Sequence, residues 1–306
     1  MQLDHLFSEE STPNLVRMRR LVRERHRFAK DIVDRGASSF GPVWVDACEE
    51  TLGSLFPSEG ALELALKGYV AFAMDAMRRQ KQFEADPRYP QKTHQEASEE
   101  VYFNSDFMMS QYLPGLLLSH YLWPHHFRQL CFFESAFVDS MRNQGATSFA
   151  EIGIGAGLYS RIILQRLPGV QGRGYDISPS SKAFTESHLQ SFGLAHRYEV
   201  ELRDVVTHPL APVDYLVCVE LLEHLEDPLT FLRALRAELA PGGKAFITAA
   251  LDAPNADHIF LYRKPEEVLQ QLIAAGFTLE QSWFGAAYKP AEPGLPVPLA
   301  AAFIVT

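Results

Sequence analysis

The decapeptide Phe-Ala-Glu-Ile-Gly-Ile-Gly-Ala-Gly-Leu at positions 149–158 constrains this chain more than any other stretch. A short apolar run over 148–152 carries the acid Glu151 and leads into three alternating glycines, Gly153, Gly155 and Gly157. A helical run over 158–167 follows at once. Glycines at that spacing let the chain turn sharply out of a strand and let backbone approach a ligand closely. The N–H groups that open the next helix then face that ligand. Alone, this pattern suits a nicotinamide enzyme as well, so the strand ends downstream have to decide.

Those ends carry acids. The next strand, 172–175, ends in Asp176, 19 residues after Gly157, where a carboxylate accepts hydrogen bonds from both ribose hydroxyls. The third, 198–202, runs into Arg203-Asp204-Val205, where a carboxylate can accept from an adenine amino group. The fourth, 214–219, is an almost unbroken apolar run, as a strand covered on both faces should be. It leads into Glu220-Leu-Leu-Glu-His-Leu-Glu-Asp-Pro228. A helix ending at Leu239, a turn at Pro241-Gly242-Gly243, a strand over 244–250, a helix over 265–275, a turn at Gly276 and strands near 277–284 and 299–305 follow. These acids fit S-adenosylmethionine (SAM) better than a dinucleotide. The alternation resembles the class I SAM-dependent methyltransferases over residues 145–306. The expected fold is α/β, a doubly wound seven-stranded SAM-methyltransferase sheet with an all-α N-terminal domain. The resemblance implies that SAM is held by Glu151, Gly153, Gly155, Gly157, Asp176, Asp204 and Glu220.

The first 140 or so residues carry no β-α alternation. Helical periodicity fits 15–33, 43–55, 61–82, 108–120 and 125–141, with breaks at Gly36, Gly41-Pro42, Pro57, the 87–90 stretch and Pro114. This divides the chain into a helical domain, 1–143, and a SAM-binding domain, 144–306. In relatives of this kind such helices cover the substrate pocket or build a homodimer. The basic stripe from Arg17 to Lys30 reads as a solvated helix face in an acidic protein. The net charge of −10 argues against a nucleic-acid partner, whose phosphates demand a cationic surface. Three cysteines without paired spacing argue against a disulfide framework. No apolar stretch approaches the ~18 residues of a membrane span, and the Met-Gln-Leu-Asp-His start has no targeting pattern. A cytoplasmic enzyme is expected, with no membrane partner.

The third informative region follows the fourth and fifth strands. On a helix Glu220, Glu223 and His224 share one face, being at i, i+3 and i+4. His258 lies just beyond the fifth strand, and neighbouring strands of such a sheet present their ends to a common ligand. The four are therefore expected to bind one divalent ion, for which mixed oxygen and nitrogen ligands leave Mg²⁺, Mn²⁺, Fe and Zn²⁺ open. Leu-Glu-His-Leu-x-Asp-Pro is widespread in metal-independent relatives too, where the histidine packs or acts as a base. The extra Glu220 and the distant His258 resemble the metal sites of small-RNA 2′-O-methyltransferases and ubiquinone-pathway O-methyltransferases.

Taken whole, the chain looks like the 2-oxo acid C-methyltransferases of non-ribosomal peptide pathways, with the 2-ketoarginine methyltransferases nearest in layout. That resemblance rests on the helical domain, Glu-Leu-Leu-Glu-His and Ala-Pro-Asn-Ala-Asp-His-Ile-Phe-Leu-Tyr-Arg. It implies a small 2-oxo acid substrate chelated by the metal, enolised, and methylated at C3 for antibiotic biosynthesis. His224, His258, His120 and Arg263 are the candidate catalytic groups: His224 and His258 as metal ligands, a histidine of the helical domain such as His120 as the C3 base, and Arg263 as a clamp for a substrate carboxylate. Two rivals stay open: O-methylation of a catechol or phenol, and a non-catalytic SAM-fold protein that dimerises.

Overall fold

The computed structural model describes residues 6–306, so the Met-Gln-Leu-Asp-His start lies outside the described residues. One seven-stranded sheet runs in the order β3-β2-β1-β4-β5-β7-β6. Its strands are β1 (Ser148–Ile152), β2 (Gln171–Asp176), β3 (Tyr198–Leu202), β4 (Val213–Cys218), β5 (Leu239–Leu251), β6 (Leu279–Ala286) and β7 (Leu299–Val305). The first five pair in parallel, and β7 pairs antiparallel with both β5 and β6. This is the α/β, doubly wound arrangement that the strand–helix alternation implies. The residues read as a turn at Pro241-Gly242-Gly243 instead belong to β5. Leu239 pairs with Val213 and Lys244 with Tyr215, so the intervening residues form a bulge within the ladder.

Before the sheet come α1 (Pro13–Arg25), α2 (Ile32–Phe40), α3 (Pro42–Leu55), α4 (Glu59–Ala85), α5 (His94–Glu100), α6 (Ser105–Phe107), α7 (Leu113–Leu122), α8 (Pro124–Phe132) and α9 (Asp139–Asn143). Two expected breaks are absent. Gly36 lies inside α2, where the space a Cβ would fill is taken by the Trp44 ring at 2.5 Å. Pro114 opens α7, a first-turn position that needs no N–H. Two π-helical turns, Met108–Tyr112 and Phe133–Val138, lie in the 108–120 and 125–141 helical stretches. Four of the five arginines of α1 are met by carboxylates: Arg19 and Arg23 pair with Asp34, Arg20 with Glu59 and Arg25 with Glu63, while Arg17 donates to the Pro57 carbonyl.

The remaining helices, α10 (Leu158–Arg166), α11 (Pro179–Ser191), α12 (Pro228–Glu238) and α13 (Pro265–Ala274), flank the sheet. The core crosses the 143/144 division without a gap. Phe246 of β5 meets Phe133 at 4.9 Å between centroids, and Phe133 meets Tyr159 of α10 at 4.8 Å. Each such buried aromatic contributes about 1.5–3 kcal/mol, so helical region and sheet are held together by one apolar body. At the same seam Arg161 donates to the Tyr121 hydroxyl (2.6 Å) and to Thr51 (3.3 Å). Among the described residues no helix is long and apolar enough to cross a membrane.

Candidate active site

A cavity of about 1160 Å³ opens at the C-terminal ends of β1, β2, β4 and β5, with the helical region as its opposite wall. The sheet side carries Glu151, the glycine loop, Asp176, Asp204, Glu220, His224 and His258. The helical side carries Phe72, Tyr102, Tyr112, His120 and Trp123.

The glycine loop is shaped by neighbours as much as by any ligand. Gly153 and Gly157 both have φ of +71°, open to glycine at little cost. A Cβ on Gly153 would collide with Leu221, and one on Gly157 would sit 2.6 Å from Thr185. Glu151 turns to the start of α10, where its carboxylate accepts from the backbone N–H of Ser160 (3.0 Å) and from the Ser160 hydroxyl. Burial pushes its carboxyl up to about 8. Asp176 accepts from the N–H of Ser178 (2.8 Å) and of Gly155 (3.3 Å), and burial raises it to about 6. Asp204 is exposed at the cavity edge and bonded within its own turn to Val206 N–H (2.9 Å) and Thr207 (3.1 Å). Together these residues form a groove with two carboxylates at successive strand tips, which fits a ribose and base lying across β2 and β3.

After β4 the backbone does not enter a helix at Glu220, contrary to the shared helical face expected for Glu220, Glu223 and His224. Glu220 has φ of +49°, an uncommon conformation for a non-glycine residue, and only Leu222–His224 forms a 3₁₀ turn. Thr248 of β5 fixes that bend: Glu220 N–H donates to its hydroxyl (2.9 Å), which donates back to Glu220 Oε1 (3.1 Å). The ligand atoms of Glu223, His224 and His258 nonetheless lie within 4.8 Å of one another. Glu220 is outside this group, so three of the four expected ligands come together.

Glu223 is fully buried, and among the described residues neither carboxylate oxygen has a hydrogen-bond partner, although the N–H groups of Glu223 and Ala250 are near enough to favour its charge. Burial, then the like charge of Glu220, drives its carboxyl well up. Nδ1 of His258 is also buried without a partner among the described residues, and burial lowers that imidazole to about 3. Orphaned buried polar atoms are rare in folded proteins and ask for a missing partner. One carboxylate and two imidazoles are the donor chemistry of a divalent first-row transition ion.

The other candidates are placed differently. His120 lines the cavity, with Nδ1 on the Leu116 carbonyl (2.8 Å), and burial lowers it to about 4. Arg263 lies outside the cavity lining; it donates to the Pro87 carbonyl and to Asp252 (3.4 Å) and stacks on Phe83 (5.8 Å). Its position is that of a strut between the 86–90 segment and β5. Asp257 was not among the expected site residues, though a carboxylate directly before a candidate imidazole was a signal that could have found it.

Residues 150–245 match a family model described as a methyltransferase domain. Ubiquinone biosynthesis O-methyltransferase of Stutzerimonas stutzeri (strain A1501) is 29% identical over 141 residues, covering 44% of this chain and 58% of that protein. The same-named protein of Xanthomonas axonopodis pv. citri (strain 306) is 27% identical over 174 residues, covering 50% and 72%. The match thus spans little more than half the length of the first of these relatives. Two solved structures share the fold over most of both chains. Mitomycin 7-O-methyltransferase MmcR has a TM-score of 0.54 at 15% identity, over 82% of this chain and 72% of that one. PigF with SAH has 0.52 at 16%, over 79% and 73%. Residues 150–245 thus match a methyltransferase domain, and the sheet from β1 to β7 that contains them has the SAM-methyltransferase fold.

Proposed function

We propose that this protein is a metal-dependent SAM methyltransferase that transfers a methyl group to C3 of a small 2-oxo acid, 2-ketoarginine or a similar acid. The observation that carries this reading is the fully buried Glu223 carboxylate, without a hydrogen-bond partner among the described residues, beside His224 and His258. Glu223, His224 and His258 would hold the ion, which would lend Lewis acidity to paired oxygen donors of an acceptor. SAM supplies the electrophilic methyl group. His224 and His258 border both the cavity and the cluster, so they orient the acceptor's oxygens. His120, with Nδ1 on a carbonyl, keeps Nε2 free to take the C3 proton. C3 then forms its bond to the methyl carbon as the S–CH₃ bond breaks and S-adenosylhomocysteine leaves. The helical wall excludes water from that transfer.

A second reading, O-methylation of a phenol or catechol with His224 as base, is supported by Asp257 beside its Nδ1 and by the O-methyltransferases named among the relatives. One experiment separates them. Purified protein is analysed for metal, then assayed for deuterium exchange at C3 of 2-oxo acids with and without chelator, SAM being absent. The proposal expects bound metal and metal-dependent exchange. Undiminished methylation of a catechol by metal-stripped protein, with no C3 exchange, would establish the second reading.

A further inference from the structure

Asp257 is fully buried and belongs to no element of the site as read from sequence. Its Oδ2 accepts from the hydroxyls of Tyr102 (3.1 Å) and Tyr112 (2.7 Å), both from the helical region. The same oxygen lies 3.3 Å from Nδ1 of His224, and the peptide oxygen of Asp257 lies 3.2 Å from that nitrogen. Tyr112 is delivered by the π-helical turn Met108–Tyr112, whose Ser110 backbone packs where Gly68 of α4 has no side chain. Thus two phenols from one wall of the cavity hold a carboxylate that belongs to the other.

An imidazole nitrogen faced by two acceptors must carry the ring's proton, so the opposite nitrogen keeps its electron pair. Carboxylates and carbonyls behind an imidazole commonly fix tautomer and ring orientation in this way. We propose that Asp257, anchored by Tyr102 and Tyr112, is a positioning residue that fixes His224 as the Nδ1–H tautomer and reserves Nε2 for the ligand. The helical region then completes the site as well as covering it. The functional consequence rests on the metal reading above, whereas the tautomer itself does not.

The test uses the full chain, metal-free, labelled with ¹⁵N-histidine and held at pH 8.5, above the ordinary imidazole range. Long-range ¹H–¹⁵N correlation reports the tautomer, with His224 assigned by its loss in His224→Gln. Wild type is expected as Nδ1–H. The Tyr102→Phe/Tyr112→Phe double variant, which keeps both rings, and Asp257→Asn are expected to show mixed tautomers. In each, Mn²⁺ should bind about 10- to 100-fold more weakly, the range for loss of a group behind a ligand. An Nε2–H tautomer in wild type overturns the proposal, as do variants with unchanged tautomer and Mn²⁺ affinity. If wild type binds no Mn²⁺, the metal reading fails while the tautomer still decides the role of Asp257.

Discussion

Asp176→Asn is expected to stabilise the empty protein while weakening SAM. The Asp176 carboxyl stands at about 6 in the fold against an ordinary 3.8, because burial disfavours its charge more than two backbone N–H groups favour it. At 1.36 kcal/mol per pH unit that difference is about 3 kcal/mol. The N–H bonds are already counted in that difference, and the side of the cleft open to water reduces it. A net gain of about 1 kcal/mol at pH 8 is therefore expected. The sign follows from linkage: a raised folded value contributes stability that is present below 3.8 and lost as pH rises through about 6. The variant's advantage should accordingly hold down to about pH 6, shrink below it and vanish near pH 4. The same substitution removes a charged acceptor for the ribose hydroxyls, at about 1.5–3 kcal/mol of SAM affinity. Urea midpoints across pH and calorimetric titration with SAM read both effects. A variant less stable than wild type at pH 8, or one with wild-type SAM affinity, would refute the reasoning.

Three further outcomes follow from the site. Gly153→Ala should cost about 1–2 kcal/mol from its positive φ alone, and more from the collision with Leu221, seen as a lower Tm together with lost SAM binding. His258→Ala should raise the Mn²⁺ dissociation constant about 100-fold or more while calorimetry shows SAM binding intact, because it removes a cluster imidazole away from the glycine loop. On the acid side, His120 and His125 stand at about 4 and His188 and His258 at about 3, each through burial. The unfolded chain takes up those protons first, so stability should fall from pH 6.5 toward 4 by up to about 1.4 kcal/mol per pH unit per group, measured by urea midpoints.

The glycine loop and the acids at the strand tips were legible because the glycine loop follows an apolar run and the strand–helix alternation after it marks where each later strand ends. The Glu220 to His224 segment was legible in composition but not in shape. Its helical spacing suggested one face, yet Asp227 caps α12 by accepting from Thr230 N–H (3.1 Å), so that helix starts only at Pro228. The preceding residues are a bent loop tied to Thr248, a partner 28 positions away. Asp257 left a signal in standing directly before His258, but its anchoring was illegible for the same reason on a larger scale, since Tyr102 and Tyr112 lie 155 and 145 positions from it. The π-helical turns were hidden because one extra residue barely disturbs a 3.6-residue apolar period. The continuity of the core across 143/144 escaped as well, because Phe133 and Phe246 come together only once the sheet has formed.

The central claim is tested most directly by turnover with [methyl-¹³C]SAM and a panel of 2-oxo acids, followed by ¹³C NMR of the product, with metal present and with chelator. The shift of the transferred carbon separates a methyl on carbon from a methyl on oxygen in a single spectrum. The account expects a C3 methyl signal that disappears with chelator and returns with added Mn²⁺, Fe²⁺, Zn²⁺ or Mg²⁺ to different extents. A methoxy signal, or a C3 methyl formed at full rate by metal-stripped protein, would contradict it.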